Sequence, residues 1–337
     1  PLGSLKLAAP LERAYVLFSP KQFPRFSWQP AGEDALYRFH LYRLDAVATF
    51  DSLAPLAFAY QKPLLAAVTK KPFYDLTVFD LDDIVLGSIN LVDEGYWDGA
   101  AVNDWWRRQS RERGIEWIQN EVVAITRNAA GTKVQTVTLA SGEVIACGQV
   151  VNASGPRAAR TAQMAGIDVP VEPRKRYSWI FKAEQPIDQD LPLTIDPSGV
   201  HVRENGGGTY QCGGHSDHDP AVEYDDHAMD HAIWENHIWP ILATRIPQFE
   251  AIKVQAEWVG HYAMNTFDHN AIMGPHTELS NFIFLNGFSG HGLQQSPAMG
   301  RGTAEWLTYG EYRALDMTPF HYERIPAGNP IIEKAVI

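Results

Sequence analysis

Read for the spacing of its apolar residues, the chain changes character near residue 80. Before that point Tyr37, Leu41, Leu44 and Ala48 fall on one helical face, which predicts an amphipathic helix over 33–53, ended by Pro55. After it the pattern sharpens. Residues 84–90 are apolar and β-branched and predict a strand. A turn at 93–98 leads into a helix over 100–113, with Gly114 placed as its C′ cap. Short strands follow at 115–117 and 121–126. Segments 134–139 and 143–146 flank Ala140-Ser141-Gly142 and predict a hairpin. A short apolar strand at 149–152 runs into Ala153-Ser154-Gly155-Pro156, and a helix over 157–165 stops at Gly166.

Residues 171–264 read differently. Strand-like runs recur at 177–183, 199–203, 209–213 and 254–262, around a helix over 227–245 that is rich in His and Trp. Asp225 and Asp226 suit the start of that helix electrostatically. The last third returns to strands at 272–274 and 282–285, a glycine-rich turn, and a helix through Leu307. The fold class expected is α/β in the mixed α+β sense. Its parts are a poorly readable helical segment at 5–80, a discontinuous lobe formed by 81–170 and 265–337, and a mainly antiparallel lobe at 171–264.

Composition narrows the function classes. Of 337 residues, 45% are hydrophobic and 20% charged, as in globular proteins. A net charge of -12 argues against nucleic acid or an anionic membrane surface as partner. No membrane span is expected: no apolar run reaches roughly 18 residues, and the richest, 53–68, is broken by Pro55, Gln61, Lys62 and Pro63. Two cysteines, Cys147 and Cys212, make neither a disulfide framework nor a four-cysteine zinc site, so a reducing compartment is the default. Pro1-Leu2-Gly3-Ser4 resembles the remnant of a cleaved expression tag and is set aside. Trp105, Trp106 and Trp117 are expected in the core.

Two places carry candidate chemistry. In 282–301, strand, glycine-rich turn and helix follow one another. Gly287, Gly290 and Gly292 remove side-chain bulk where a ligand would meet backbone N–H groups and the positive end of a helix. The rival is a metal site. His215, His218 and Asp219 precede His227 and His231, which lie one helical turn apart. Pro220 and an intervening loop interrupt that set, and no metal is expected.

The glycine-rich segment GFSGHGLQQSPAMGR is similar to the C-terminal flavin motif of the D-amino-acid oxidase and sarcosine oxidase superfamily. VVNASGP at 150–156 resembles that family's other strand-turn element. VEPRKRYSW at 171–179 and NTFDHNAIMGPH at 265–276 look closest to the FAD-dependent oxidoreductase domain-containing protein 1 branch, which is linked to respiratory-complex assembly. The resemblance covers residues 80–337 and implies a bacterial cytoplasmic or mitochondrial matrix protein. It implies FAD, with the Val122 backbone at the adenine end and Ala153, Ser154 and Gly155 by the pyrophosphate and ribose. Gly287, Phe288, Ser289, Gly290, His291, Gly292 and Leu293 would face the isoalloxazine. Residues 258–264 hold no cysteine where some relatives bond the flavin, so binding would be non-covalent.

It further implies hydride transfer from a C–H beside an amine to the flavin, with an amine or amino acid as substrate. His261, Tyr262 and Tyr177 are the candidate catalytic residues. Arg174 and Arg176 (with Lys175 between them), Asn265 and His291 are the candidate substrate contacts. One departure matters. The family's opening βαβ unit, with G-x-G-x-x-G and an acid for the ribose, is not in this sequence: between Gly3 and Gly87 the only glycine is Gly32. Three readings stay open. The unit lies outside this sequence, a partner chain supplies it as in a multi-chain dehydrogenase, or the protein is an assembly or scaffold protein that keeps the fold without FAD.

Overall fold

Alternation of side chains, rather than helical spacing, decides the structure at Tyr37–Tyr42. The computed structural model describes residues 98–333 apart from 189, 190, 192 and 217; before 98 it describes Asp80 and seven strands. These are β1 (Lys6–Leu7), β2 (Ala14–Val16), β3 (Phe26–Trp28), β4 (Tyr37–Tyr42), β5 (Pro63–Thr69), β6 (Phe73–Tyr74) and β7 (Leu86–Asn90). β4 pairs antiparallel with both β5 and β7. The helix expected over 33–53 is therefore corrected at Tyr37–Tyr42, and its remainder lies outside the described residues. Tyr37-Arg38-Phe39-His40-Leu41-Tyr42 alternates apolar and polar residues and is rich in aromatics, which favours a pleated strand.

Helix α1 (Gly99–Glu112) forms where expected. Asp98 caps it by accepting from the Ala101 N–H at 3.0 Å, and Gly114 follows in the left-handed region at φ +84°. Yet α1 has no buried residue, and Trp105 is 50% exposed. Trp117 is also exposed, with its indole N–H donating to Ser110 Oγ and Arg107 over its ring. The core placement of these three tryptophans is overturned. So is the strand at 115–117: that stretch is irregular and pairs with no described strand.

The next elements match the sequence pattern. β8 (Val122–Arg127), β9 (Val134–Leu139) and β10 (Val144–Ala146) form an antiparallel sheet. Gly142, at φ +88°, closes the β9–β10 turn. β11 (Val150–Asn152) is followed by a single 3-10 turn and helix α2 (Ala158–Met164). Much later, β17 (Ile272–Pro275) and β18 (Phe282–Asn286) join it: β18 pairs parallel with β11 and antiparallel with β17. One core cluster ties these pieces together, with Ile125, Val134, Ala158, Ala162, Phe282 and Phe284 all buried. Strands 132 positions apart, as at Val150 and Phe282, thus build one discontinuous lobe.

The second lobe is a five-stranded antiparallel sheet in the order β13-β14-β15-β12-β16, from β12 (Val171–Ala183), β13 (Thr194–Ile195), β14 (His201–Gly206), β15 (Thr209–Gly214) and β16 (Ile252–Asn265). Tyr177, Trp179 and Phe181 face a helical segment made of α3 (His231–Ile233), a π-helical stretch Trp234–Ile238 and α4 (Trp239–Arg245). Trp179 meets Trp234 at 5.1 Å and Phe181 meets Phe249 edge-on at 5.0 Å. That segment starts at His231, capped by Asp230, and not at 227; Asp225 and Asp226 lie in the preceding turn. Pro240, at the start of α4, has no N–H to continue an α-helical ladder, which accounts for the change of helical register before it. The closing helix is α5 (Gly292–Tyr309).

Candidate functional site

β11 and β18 run side by side and their carboxyl ends open into two turns, the arrangement in which open α/β sheets hold ligands. After Asn286 the chain passes through Gly287 at φ +67°, Ser289 at φ +49° and Gly290 at φ +97° before α5 begins. A left-handed serine is strained, and three hydrogen bonds hold it. Its N–H donates to Ala263 O at 3.1 Å, its hydroxyl donates to Gly287 O at 3.2 Å, and its Oγ accepts from the Asn265 N–H at 2.9 Å. The loop is thereby pinned along β16. A Cβ at 287 would come within 3.0 Å of Asn265 Cβ, and one at 290 would strike the Tyr262 ring. Glycine is required at both.

His291, the residue before α5, makes no side-chain cap, and the first turn of α5 holds no acid. The N–H groups and partial positive charge of that helix end are therefore available to an electron-rich ligand oxygen. The other turn is equally fixed. Asn152 Oδ1 accepts from the Ser154 N–H and hydroxyl at 3.2 and 2.7 Å, and its Nδ2 donates to Ala158 O at 3.0 Å. Gly155 sits at φ +57°. Two buried carbonyl oxygens, Asn286 Oδ1 and Gln295 Oε1, have no hydrogen-bond partner among the described residues. Glycine-lined backbone, an uncapped helix end and unused acceptors fit a flat, polar, partly anionic group such as a flavin. Val122, at the start of β8, is half-buried against the core of the same lobe.

The expected substrate residues do not converge. In the β12–β16 ladder Arg174 faces Tyr262, and Arg176 faces Gly260. Lys175 faces His261, and Tyr177 faces Val259. Side chains alternate along a strand, so Arg174, Arg176 and Tyr262 share one face while Lys175, Tyr177 and His261 share the other. Tyr262 abuts the glycine loop at Gly290, and the Arg176 guanidinium lies over its ring at 4.3 Å, while Asn265 meets the loop at Gly287 and Ser289. Burial raises the Tyr262 phenol above its usual range, with Arg176 opposing it. Asn265 is fully buried and its amide is spent on Asp268 and Asn270, so it is a structural residue and the substrate role is corrected.

The basic run also proves to be mid-strand and paired. A strap at 215–230 wraps it. Asp219 accepts from Arg176 at 3.0 Å and, through its carbonyl, from Arg174, which also pairs with Glu172. Lys175 meets Asp226 at 2.7 Å, holding that carboxylate below the ordinary range. His261 Nε2 donates to Asp226 O at 2.8 Å, and its ring stacks on His227 at 4.4 Å. Burial first, then Asp230, Asp226 and Asp219, raise the Tyr177 phenol. A cavity of about 320 Å³ lies under the strap, lined by Lys175, Tyr177, His215, His218, Asp219 and Met229 among others. Among the described residues no three His, Cys, Asp or Glu side chains come together as a metal-ligand set. Cys212 is sealed in the core with its thiol pushed up by burial, and the half-buried Cys147 contacts Ile145 O.

Sequence reasoning missed Asn286, and it placed Asp219 in a rival metal set and Asp226 at a helix start without seeing that they pair with the basic run. The available signal for that pairing was charge: an Asp-rich loop in the same lobe as an Arg-Lys-Arg run.

Known proteins share this fold. A family model described as FAD dependent oxidoreductase, DAO, matches residues 60–306. FAD-dependent oxidoreductase domain-containing protein 1 of Xenopus laevis is 31% identical over 75% of this chain and 56% of its own length. The Mus musculus protein of that name is 32% identical over 77% and 59%. The chain thus spans less than two thirds of these relatives. Among solved structures, L-proline dehydrogenase from P. horikoshii superposes with a TM-score of 0.66 at 24% identity, covering 76% of this chain and 67% of that one. Glycine oxidase from Geobacillus kaustophilus gives 0.60 at 20%, covering 70% and 61%. At those identities the solved structures speak to fold alone.

Proposed function

We propose a function from one premise: this chain belongs to the FAD-dependent oxidoreductase (DAO) family. The reading is that it carries the flavin-facing and substrate-facing walls of an enzyme that oxidises an amine or amino acid. FAD, when bound, would supply a hydride acceptor for the C–H beside the substrate nitrogen, and release of a proton from that nitrogen would complete the imine. The chain's own residues position and polarise. Gly287, Gly290 and Gly292 let the backbone approach the ring, and the α5 N-terminus stabilises negative charge on its carbonyl side. Tyr262 sets the wall beside Gly290. Arg176, spread over Tyr262 and backed by Arg174, is the group for a substrate carboxylate. His261 and Tyr177, on the opposite face, line or border the strap rather than the loop.

The contact of Tyr262 with Gly290, under Arg176, carries this reading. The test is the visible spectrum of the purified protein after incubation with excess FAD and removal of free cofactor. A band near about 450 nm marks bound oxidised flavin; its absence rules out the enzyme reading for this chain alone.

A second reading rests on β11 and α1. Among the described residues β11 is the edge of its sheet, and an edge strand presents unpaired N–H and C=O groups that a further strand can pair. α1 adds an unburied face with Trp105 and Trp106, and Gly99 at its start lies against Leu293 of the glycine loop. This surface suits a further protein unit that completes the dinucleotide site. FAD retention that appears only when a glycine-rich βαβ unit is supplied in trans supports it; retention by the chain alone removes the need for it.

A further inference from the structure

The amide of Asn286 has a forced orientation. Asn152 Nδ2 donates to Ala158 O, which only accepts, and Asn152 Oδ1 takes the Ser154 N–H, which only donates. Asn286, 3.4 Å away, must therefore turn its Nδ2 toward Asn152 Oδ1. Its own Oδ1 is left with no hydrogen-bond partner among the described residues, in a side chain that is fully buried. A buried unpaired carbonyl is costly, and a native structure keeps one where a donor arrives later. Asn286 is the last residue of β18, and Asn152 the last of β11. The orphan oxygen thus belongs to the bridge between the two ligand-facing turns, where a linker joining the two ends of a dinucleotide would cross.

We propose that Asn286 is a cofactor-positioning residue whose Oδ1 accepts a hydrogen bond from a hydroxyl of the flavin's ribityl chain. This rests on the flavin reading above. The donor class follows from the chemistry: a carbonyl accepts only, so its partner is an O–H or N–H and not a phosphate or ring carbonyl.

The test is titration of the purified chain with riboflavin and with lumiflavin, which lacks the ribityl hydroxyls, followed by flavin fluorescence. Wild type, Asn286→Leu and Asn286→Ala are compared, with melting curves of the flavin-free proteins. Loss of one neutral hydrogen bond predicts riboflavin binding weaker by about threefold to tenfold in both variants. Lumiflavin binding is expected to stay unchanged. Flavin-free Asn286→Leu is expected to melt no lower than wild type, because the variant removes an unsatisfied group. Unchanged riboflavin affinity overturns the proposal and leaves a buried water as the partner. An equal loss for lumiflavin overturns it in favour of a ring N–H. Failure of wild type to bind either flavin is a different result and sinks the flavin reading itself.

Discussion

At the scale of single residues, glycine and charge carry the site. Gly290 combines φ +97° with a backbone that lies against the Tyr262 ring. Gly290→Ala is expected to displace Tyr262 and to weaken flavin binding by more than tenfold, read by the same fluorescence titration; a merely flexible loop would show no such loss. Asp219 already occupies the Arg176 guanidinium. Asp219→Asn is expected to free that cation and tighten binding of an inert carboxylate such as benzoate, measured by calorimetry. Weaker binding instead would make Asp219 an orienting partner of Arg176 and not its occupant. The glycines were legible because their spacing is local. Asp219 was not, because its partner lies 43 residues away in sequence and sequence periodicity says nothing about which loop folds over which strand.

At the scale of elements, two networks hold the site in place. The first is the strap. Asp226 is held below the usual carboxylate range, chiefly by its bond from Lys175, and donors at Ala228 add to this. A depressed carboxylate stabilises the fold above its unfolded pKa, and that contribution is lost as pH falls through the lower folded value. The strap is therefore expected to stay closed at pH 6 and to open as pH falls below the ordinary Asp range of about 4. Hydrogen exchange of residues 219–230 would reveal it; uniform exchange across that pH range speaks against the latch.

The second network is the buried pair of Asp268 and Arg324, 2.8 Å apart, which also gathers the Asn265 amide and the Ile331 N–H. Removing one member of such a pair leaves an uncompensated charge. Arg324→Met is expected to cost about 3–5 kcal/mol in urea denaturation, and a loss under about 1 kcal/mol would mean that water reaches the pair. Elements themselves were read well wherever a turn residue or cap punctuated a periodic run, as at Gly114, Gly142 and Gly166. The reading failed at 37–42, where Tyr37 and Leu41 fit one helical face and one face of a strand equally. It failed again at 227, where an acidic turn preceded the true cap at Asp230 by a few residues.

At the scale of the whole molecule, the question is what covers α1. Sequence alone placed Trp105, Trp106 and Trp117 in a core because large aromatics are usually buried, a rule that holds only when the covering element is present. Here, among the described residues, α1 presents Trp105 and Trp106 outward and Trp117 is exposed just beyond it, Gly99 at the start of α1 lies beside Leu293, and β11 is the unpaired edge of its sheet. A free helix face of this kind contributes little to the stability of its own chain. The double variant Trp105→Ser, Trp106→Ser is therefore expected to unfold in urea within about 0.5 kcal/mol of wild type, the usual range for surface substitutions. The same variant should lose FAD retention in the presence of a supplied βαβ unit, because the surface that receives that unit has been made polar. A stability loss of several kcal/mol would show instead that the tryptophans are packed by this chain itself, and α1 would then be a core helix with no docking role.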